Sequence, residues 1–547
     1  MTRRIVRTGC QLAVFAVVAF FFVLFLDNYY FVLPQSIHNH LPLHNERLII
    51  TDITVQTCSA LNPLNKCMLD PDKWHRIDKD LYLNTGWVNK AFVHIKRKSE
   101  EELTEDDKVI VDVRIQKLDP AISEKAQASE KWESRPAKLW LKRSKKRHAS
   151  DGKNTVTAVD VLFGADAVEP RLGWQLVNGA LRLENGENKE PRLSIRRGAP
   201  VKIEREKQVP RIRKDGKFKI LQVSDLHLST GLGACRDPEP PGHNGGKCDA
   251  DPRTLEFVEK IIQEEKPDLV VLSGDQVNGE TAPDSQTALF KIAGLLAEHK
   301  IPYTAIFGNH DDEGSLSRNA QMSLYQSLPY CLAEAGPNEL AGVGNYYIEI
   351  SAHNSRHSAL TLYFLDTHAY SPDENKYRGY DWLKPDQIEW FRNTAEHLKE
   401  AHKHYTHIHL DMAFIHIPLP EYAVEGQQRV GEWKEGVTAP GFNTHFKDAL
   451  VEHGIKAVSC GHDHANDYCA MSQNANKDGD LWMCYAGGSG FGGYGGYGGY
   501  HRRVRVFEID ANQAQISTWK RVEYGDTGKR LDEQVIVSAG KIVAPQQ

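Results

Sequence analysis

The sequence predicts an α/β domain preceded by a separate β-rich domain and one N-terminal transmembrane helix. Three observations predict it: short apolar runs alternate with amphipathic stretches after Lys217, β-branched alternating segments dominate the residues before 200, and an uncharged apolar stretch stands near the N-terminus. Strands alternating with helices argue for a largely parallel sheet with helices packed outside. A chain of 547 residues has room for two or three domains and a sizeable core. Its net charge of -6 gives no global pull toward nucleic acid or acidic membranes, so no nucleic-acid partner is expected.

The first element is Thr8–Leu26, an uncharged run that would span roughly 30 Å as a helix. Arg3, Arg4 and Arg7 precede it, and Asp27 and an aromatic "NYYF" follow. That asymmetry puts the N-terminus in the cytosol and the remainder in a lumen or outside the cell, in the secretory pathway or a vacuole. No A-x-A-like site closes the run, so an uncleaved signal anchor over residues 1–40 is the expectation. Cys58/Cys67, Cys235/Cys248 and Cys469/Cys484 have the spacing of local bridges and would suit an oxidising compartment. Against it, the chain contains no N-x-[ST] glycosylation acceptor.

Residues 41–205 read as the β-rich domain, with strands expected near Leu48–Val55, Lys108–Ile115 and Val156–Phe163. The polar and basic stretch near 120–155 has little to bury and reads as an exposed flexible loop. Residues 206–525 read as the α/β domain. "KFKILQV", "DLVVLSG", "YTAIFG", "LTLYFLD", "MAFIHI" and "IKAVSCG" are expected as buried strands. Leu255, Val258, Ile261 and Ile262, then Leu289, Ile292, Leu295 and Leu296, carry helical 3/4 spacing. "RRVRVFEID" and "AQISTWKRV" read as a hairpin, the glycine-rich "GGSGFGGYGGYGGYHRRV" as a surface loop whose tyrosines could face a ligand, and 526–547 as a tail.

Metal-competent residues recur at the ends of the expected strands: Asp225 and His227 in "VSDLH", Asp275 in "SGDQVN", Asn309, His310 and Asp311 in "FGNHDD", His416 in "FIHIPLP", and His462 and His464 in "CGHDH". Strand C-termini of an α/β sheet form one rim where ligands bind. Singly, an Asp after a strand is usually a turn residue and a lone His usually a satisfied core side chain. The order D-x-H, GD, GNHD, H, GHxH within one domain outweighs those readings. A self-contained zinc knot in "CGHDHANDYC" is disfavoured, because Cys460 and Cys469 lack the C-x₂₋₄-C spacing of such sites.

This ordered set resembles the calcineurin-like metallophosphoesterase superfamily over roughly residues 215–520. "EKPDLVVLSGDQVNG", "GYDWLKPDQIEWF" and "GHDHANDYC" look like its fungal phosphatases of dose-dependent cell-cycle regulation and its plant purple-acid-phosphatase-like group. The resemblance implies a β-sandwich flanked by helices and two metal ions, iron, zinc or manganese. It implies that Asp225, His227, Asp275 and His464 hold one ion and Asp275, Asn309, His416 and His462 the other, with Asp275 bridging. It further implies a phosphatase that hydrolyses phosphomonoesters through in-line attack of a metal-bridging hydroxide, with protein phosphoserine or phosphothreonine as one candidate substrate. The alternative with the same site is a phosphodiesterase or polyphosphate-cleaving hydrolase. By the same resemblance His310 stabilises the transition state or protonates the leaving group, and Asp311 could orient it. Cys235–Cys248 and Cys469–Cys484 are expected as disulfides in this family. Asn278 departs from the pattern, standing where the family's protein phosphatases carry an aspartate and true purple enzymes a tyrosine ligand. Asn278, Arg502 and Arg503 are candidate substrate contacts.

Overall fold

The computed structural model describes residues 48–545 except 60–66, 87–88, 123–129, 146–152, 184–188, 205–208, 404–406, 475, 477 and 496–498. The signal anchor expected at Thr8–Leu26 lies outside the described residues, and among those residues no helix is long and apolar enough to cross a membrane. Two compact units emerge, the first drawn from Met1–Gly164 and Leu172–Val201, the second from Ala165–Arg171 and Lys202–Gln547. The segment 165–171 falls in the second unit because Asp166 ion-pairs with Lys291 at 2.5 Å and Arg171 lies over the Phe290 ring.

The first unit contains three small antiparallel sheets. β1 (Leu48–Ser59), β2 (His75–Arg76) and β3 (Asn89–Ser99) form one, in the order β1-β3-β2. The second, β4-β6-β5, comprises β4 (Val109–Ile115), β5 (Glu130–Arg135) and β6 (Leu139–Ser144). β7 (Val156–Phe163), β8 (Trp174–Leu176) and β9 (Pro191–Arg197) form the third, β7-β9-β8. One apolar cluster includes Ile53, Val93, Val113, Leu141, Val161 and Ile195 from these sheets, each contributing roughly 1.5–3 kcal/mol by burial. Within the flexible loop expected near 120–155, the described residues 130–144 instead form β5 and β6, while 123–129 and 146–152 lie outside the described residues. Leu139 and Leu141 are buried, and the polar positions are matched by ion pairs, Glu133 with Lys108, with Arg135 of its own strand and with Arg143 of β6, and Lys142 with Glu130.

The second unit holds two seven-stranded sheets. Its first consists of β10 (Lys217–Val223), β11 (Leu269–Ser273) and β12 (Tyr303–Ile306) with the late strands β20 (Arg503–Asp510), β21 (Gln515–Val522), β22 (Leu531–Ser538) and β23 (Lys541–Ile542), ordered β12-β11-β10-β20-β21-β22-β23. The stretch after 525, expected as a tail, thus extends this sheet: β22 pairs along β21, with Ile536 and Val537 buried. The second sheet contains β13 (Tyr346–Ser351), β14 (Ser358–Phe364), β15 (Leu410–Phe414), β16 (Gln428–Val430), β17 (Ala457–Cys460), β18 (Cys469–Gln473) and β19 (Gly479–Tyr485), ordered β13-β14-β15-β17-β19-β18-β16. Parallel pairing is confined to β10/β11/β12 and β14/β15/β17/β19, so the sheets are mixed rather than largely parallel.

The sheets face one another. Phe414 meets Phe507 edge-on at 6.2 Å, the Gln222 amide donates to the Cys460 carbonyl at 3.3 Å, and Arg505 Nε donates to the Tyr485 carbonyl at 2.6 Å. α1 (Ala250–Glu265) and α2 (Ser285–Glu298) pack together and bury Val258, Ile261 and Ile262, and Leu289, Ile292 and Leu296. α3 (Arg318–Gln326) follows β12, while α4 (Pro385–Ala401) and α5 (Phe446–Glu452) cover the second sheet through Phe391, Leu398, Phe446 and Leu450. All three expected disulfides are formed, Cys58–Cys67, Cys235–Cys248 and Cys469–Cys484.

Candidate metal centre

Side chains of one kind collect where parallel strands end. Asp225 and His227 follow β10, Asp275 follows β11, Asn309 and His310 follow β12, His416 follows β15, and His462 and His464 follow β17. Asp225, His227, Asp275 and His462 all have positive φ, between 48° and 76°. Non-glycine residues persist there only when their surroundings over-determine them, and such strain concentrates at functional sites.

Two ligand groups result. Asp225, His227 and His464 offer atoms within 4.8 Å of one another, and so do Asp275, His416 and His462. Asp275 Oδ2 lies 3.3 Å from His416 Nε2 in its own group and 3.7 Å from His227 Nε2 in the other. One carboxylate oxygen therefore faces both groups, as a bridging ligand must. Asn309 follows on: the neighbouring His310 N–H donates to Asp275 Oδ1 at 2.8 Å.

The donor set fits two cations. Asn309 Oδ1 and His462 Nε2 are buried without a hydrogen-bond partner, and each orphaned buried group costs about 1–3 kcal/mol unless something binds it. His416 Nδ1 is 2.9 Å from the Ser273 carbonyl, and His464 Nδ1 is 2.8 Å from the Tyr494 carbonyl. A carbonyl only accepts, so both Nδ1 atoms carry a proton and both Nε2 atoms face the site, the usual arrangement behind metal-ligating histidines. Burial opposes the charge of His416, but Asp275 raises its pKa to about 9, so a cation there would displace the Nε2 proton. Burial lowers His227 and His462 to about 3, which keeps them neutral and able to ligate. Mixed carboxylate, imidazole and amide ligands suit iron, zinc or manganese.

Around the ligands lies a cavity of about 190 Å³ lined by His310, Asn278, Tyr380 and Tyr494 among others. Asp311 is placed differently from expectation. Its carboxylate accepts the N–H groups of Gly308, Asp275 and Val277 at 2.7–2.9 Å, so it ties two strand-end loops together and does not hold the His310 ring. Burial and the adjacent Asp275 push its pKa up to about 7 against those donors. The carboxylate on His310 is Glu313, whose Oε2 lies 2.7 Å from Nδ1.

Arg502 and Arg503 are also placed differently. Arg502 is 1% exposed and donates to the carbonyls of Gly490, Gly493 and Arg236 at 2.7–3.0 Å. Arg503 is 7% exposed, pairs with Asp467 and lies 3.8 Å from the Tyr500 ring centroid. These contacts tie both guanidinium groups to the protein itself, with Arg502 Nη1 left without a hydrogen-bond partner among the described residues. The glycine-rich segment is not a surface loop over residues 487–493, which are buried. It follows β19, parallel to β17, and so arrives at the same rim. Gly493 lies against the His227 and His464 rings where any Cβ would collide, and the Tyr494 ring stacks on His464 at 3.9 Å.

Sequence reasoning missed Glu313 and Glu435, which accepts from the Tyr494 hydroxyl at 3.1 Å; Tyr494, one of the tyrosines of the glycine-rich stretch, does line the cavity. For Glu313 a signal existed, a carboxylate three residues after the histidine.

Two adjoining groups of metal-competent side chains, with one carboxylate facing both, at the strand-end rim of a mixed β-sandwich define a candidate metal centre of the metallohydrolase type. The calcineurin-like phosphoesterase pattern matches residues 218–466, which contain every ligand described above. Over 385 residues the chain is 39% identical to Phosphatase DCR2 of Saccharomyces cerevisiae, covering 67% of this chain and 64% of that protein, so it spans less than two thirds of that relative. It is 30% identical over 89% of its length to an uncharacterized protein of Schizosaccharomyces pombe, covering 90% of that protein. A third relative, Probable inactive purple acid phosphatase 14 of Arabidopsis thaliana, is 36% identical over 59% of this chain and 83% of that one. The chain belongs to the calcineurin-like phosphoesterase family.

Proposed function

We propose that this protein is a metal-dependent phosphomonoesterase, with phosphoserine or phosphothreonine of proteins among its candidate substrates. The observation that carries the reading is the Asp275 carboxylate facing both ligand groups. Two bound ions would neutralise charge on a phosphoryl group and acidify the attacking water. The chain's own residues supply the rest. Asp225, Asp275, Asn309 and the four ligand histidines fix where the phosphoryl group binds, and the buried glycine-rich segment closes that place on one side. His310 lines the cavity and stands where it can give a proton to the leaving oxygen.

One relative is named a phosphatase and another a probable inactive one. The full ligand complement in this chain favours activity. The test is a panel of phosphomonoesters, phosphodiesters and polyphosphate offered to the purified, metal-loaded protein. Monoesters should be cleaved at least tenfold faster than the others; faster diester or polyphosphate cleavage would replace this reading with the alternative.

The same reading puts both units in an oxidising lumen or outside the cell, anchored through Thr8–Leu26, and three disulfides support it. Protease added to sealed microsomes should leave the chain after residue 30 intact. Cleavage there without detergent would refute this topology.

A further inference from the structure

His310 needs a fixed orientation to serve a leaving group, and Asn278 does not supply it. Asn278 has no negative charge, and its amide is directed at the Gly492 carbonyl, 3.5 Å away. Glu313 Oε2, by contrast, lies 2.7 Å from His310 Nδ1. A carboxylate accepts only, so Nδ1 carries the proton and the Nε2 edge of the ring is left for the cavity that His310 lines. Glu313 is itself held, because its Oε1 accepts from the Tyr370 hydroxyl at 3.0 Å. Room for it comes from Gly279, next to Asn278: a Cβ there would collide with the Glu313 backbone and Cβ. The loop that lacks the carboxylate thus admits one from elsewhere.

We propose that Glu313 is a positioning residue for His310, holding Nδ1–H so that the Nε2 proton is presented to the leaving oxygen. This rests on the phosphomonoesterase reading. Water, after losing one proton to solvent, forms the new oxygen–phosphorus bond. The ester P–O bond breaks with its electron pair on the leaving oxygen, which takes the Nε2 proton of the His310 imidazolium. Phosphate and alcohol leave, and neutral His310, still donating Nδ1–H to Glu313, regains a proton from solvent. His310 and Glu313 side chains are 33% and 29% exposed, and a pair that open adds little to stability. Losing Glu313 should therefore alter the reaction and not the fold.

The experiment compares the full metal-loaded chain with Glu313→Gln, His310→Ala and the double variant, on an alkyl phosphate and on p-nitrophenyl phosphate. An alkoxide needs the proton far more than a nitrophenolate does. With metal content unchanged, Glu313→Gln should lower kcat about 100-fold on the alkyl ester, within the range of general-acid effects. On the aryl ester the loss should be about fivefold, with KM little altered. In the His310→Ala background the second substitution should add less than twofold, because residues acting as a unit are not additive. Equal losses on both esters, or full additivity, would overturn the assignment while leaving an active wild type and the phosphatase reading in place. A wild type with two metal ions that cleaves neither ester would overturn both.

Discussion

Asp275 concentrates the chemistry of the centre in one side chain. Its Oδ2 faces both ligand groups, while its Oδ1 accepts the His310 N–H at 2.8 Å. Burial opposes its charge, yet the neighbouring histidines, His416 first, hold its pKa well below the usual carboxylate value. Asp275→Asn keeps the acceptor and the shape and removes the charge. Losing an outer-shell partner of a metal commonly costs 10–100-fold, so losing the shared ligand should lower hydrolysis by more than about 100-fold with the melting transition near that of wild type. Hydrolysis within about tenfold of wild type would show that Asp275 is not the bridge. The clustering side chains were legible in the sequence because each closely follows an apolar strand run. Glu313 and Glu435 were not, since their roles depend on which loops meet at the rim.

At the scale of elements, legibility followed burial. β10, β11, β14 and β17 are buried along nearly their whole length and read as continuous apolar runs. β5 and β6 are satisfied instead by ion pairs across the strands, which composition alone reads as loop. Burial opposes the charge of Glu133, but Lys108, Arg143 and Arg135 lower its pKa to about 2. A carboxylate whose folded pKa is depressed stabilises the fold above its unfolded pKa, about 4.5, and loses that contribution as the pH falls toward about 2. Glu133→Gln should be less stable than wild type at pH 7 by up to about 1 kcal/mol, the range for partly exposed pairs. The gap should shrink below pH 4.5, and chemical denaturation at both pH values checks it. A gap that widened in acid would contradict the network. The glycine-rich segment illustrates the converse case: its composition suggests a free loop, but β19 delivers it to the ligand histidines and Arg502 fastens its carbonyls.

Across the whole molecule, the second unit contains the entire candidate centre, assembled from both of its sheets and from residues that span Asp225 to His464. The sandwich was legible only through resemblance, because periodicity reports strands and helices but not which sheet a strand joins. β20 to β23 complete the first sheet beside β10, a pairing between ends of the unit nearly three hundred residues apart in sequence. The central claim is that these distant segments hold two metal ions for phosphate-ester cleavage. Elemental analysis of the purified chain, run beside its hydrolysis of an aryl phosphate, tests it most directly. The account predicts close to two ions per chain, one for each ligand group, together with turnover. Two tightly held ions with no hydrolysis from acidic to mildly alkaline pH, or a folded, active chain holding none, would contradict it.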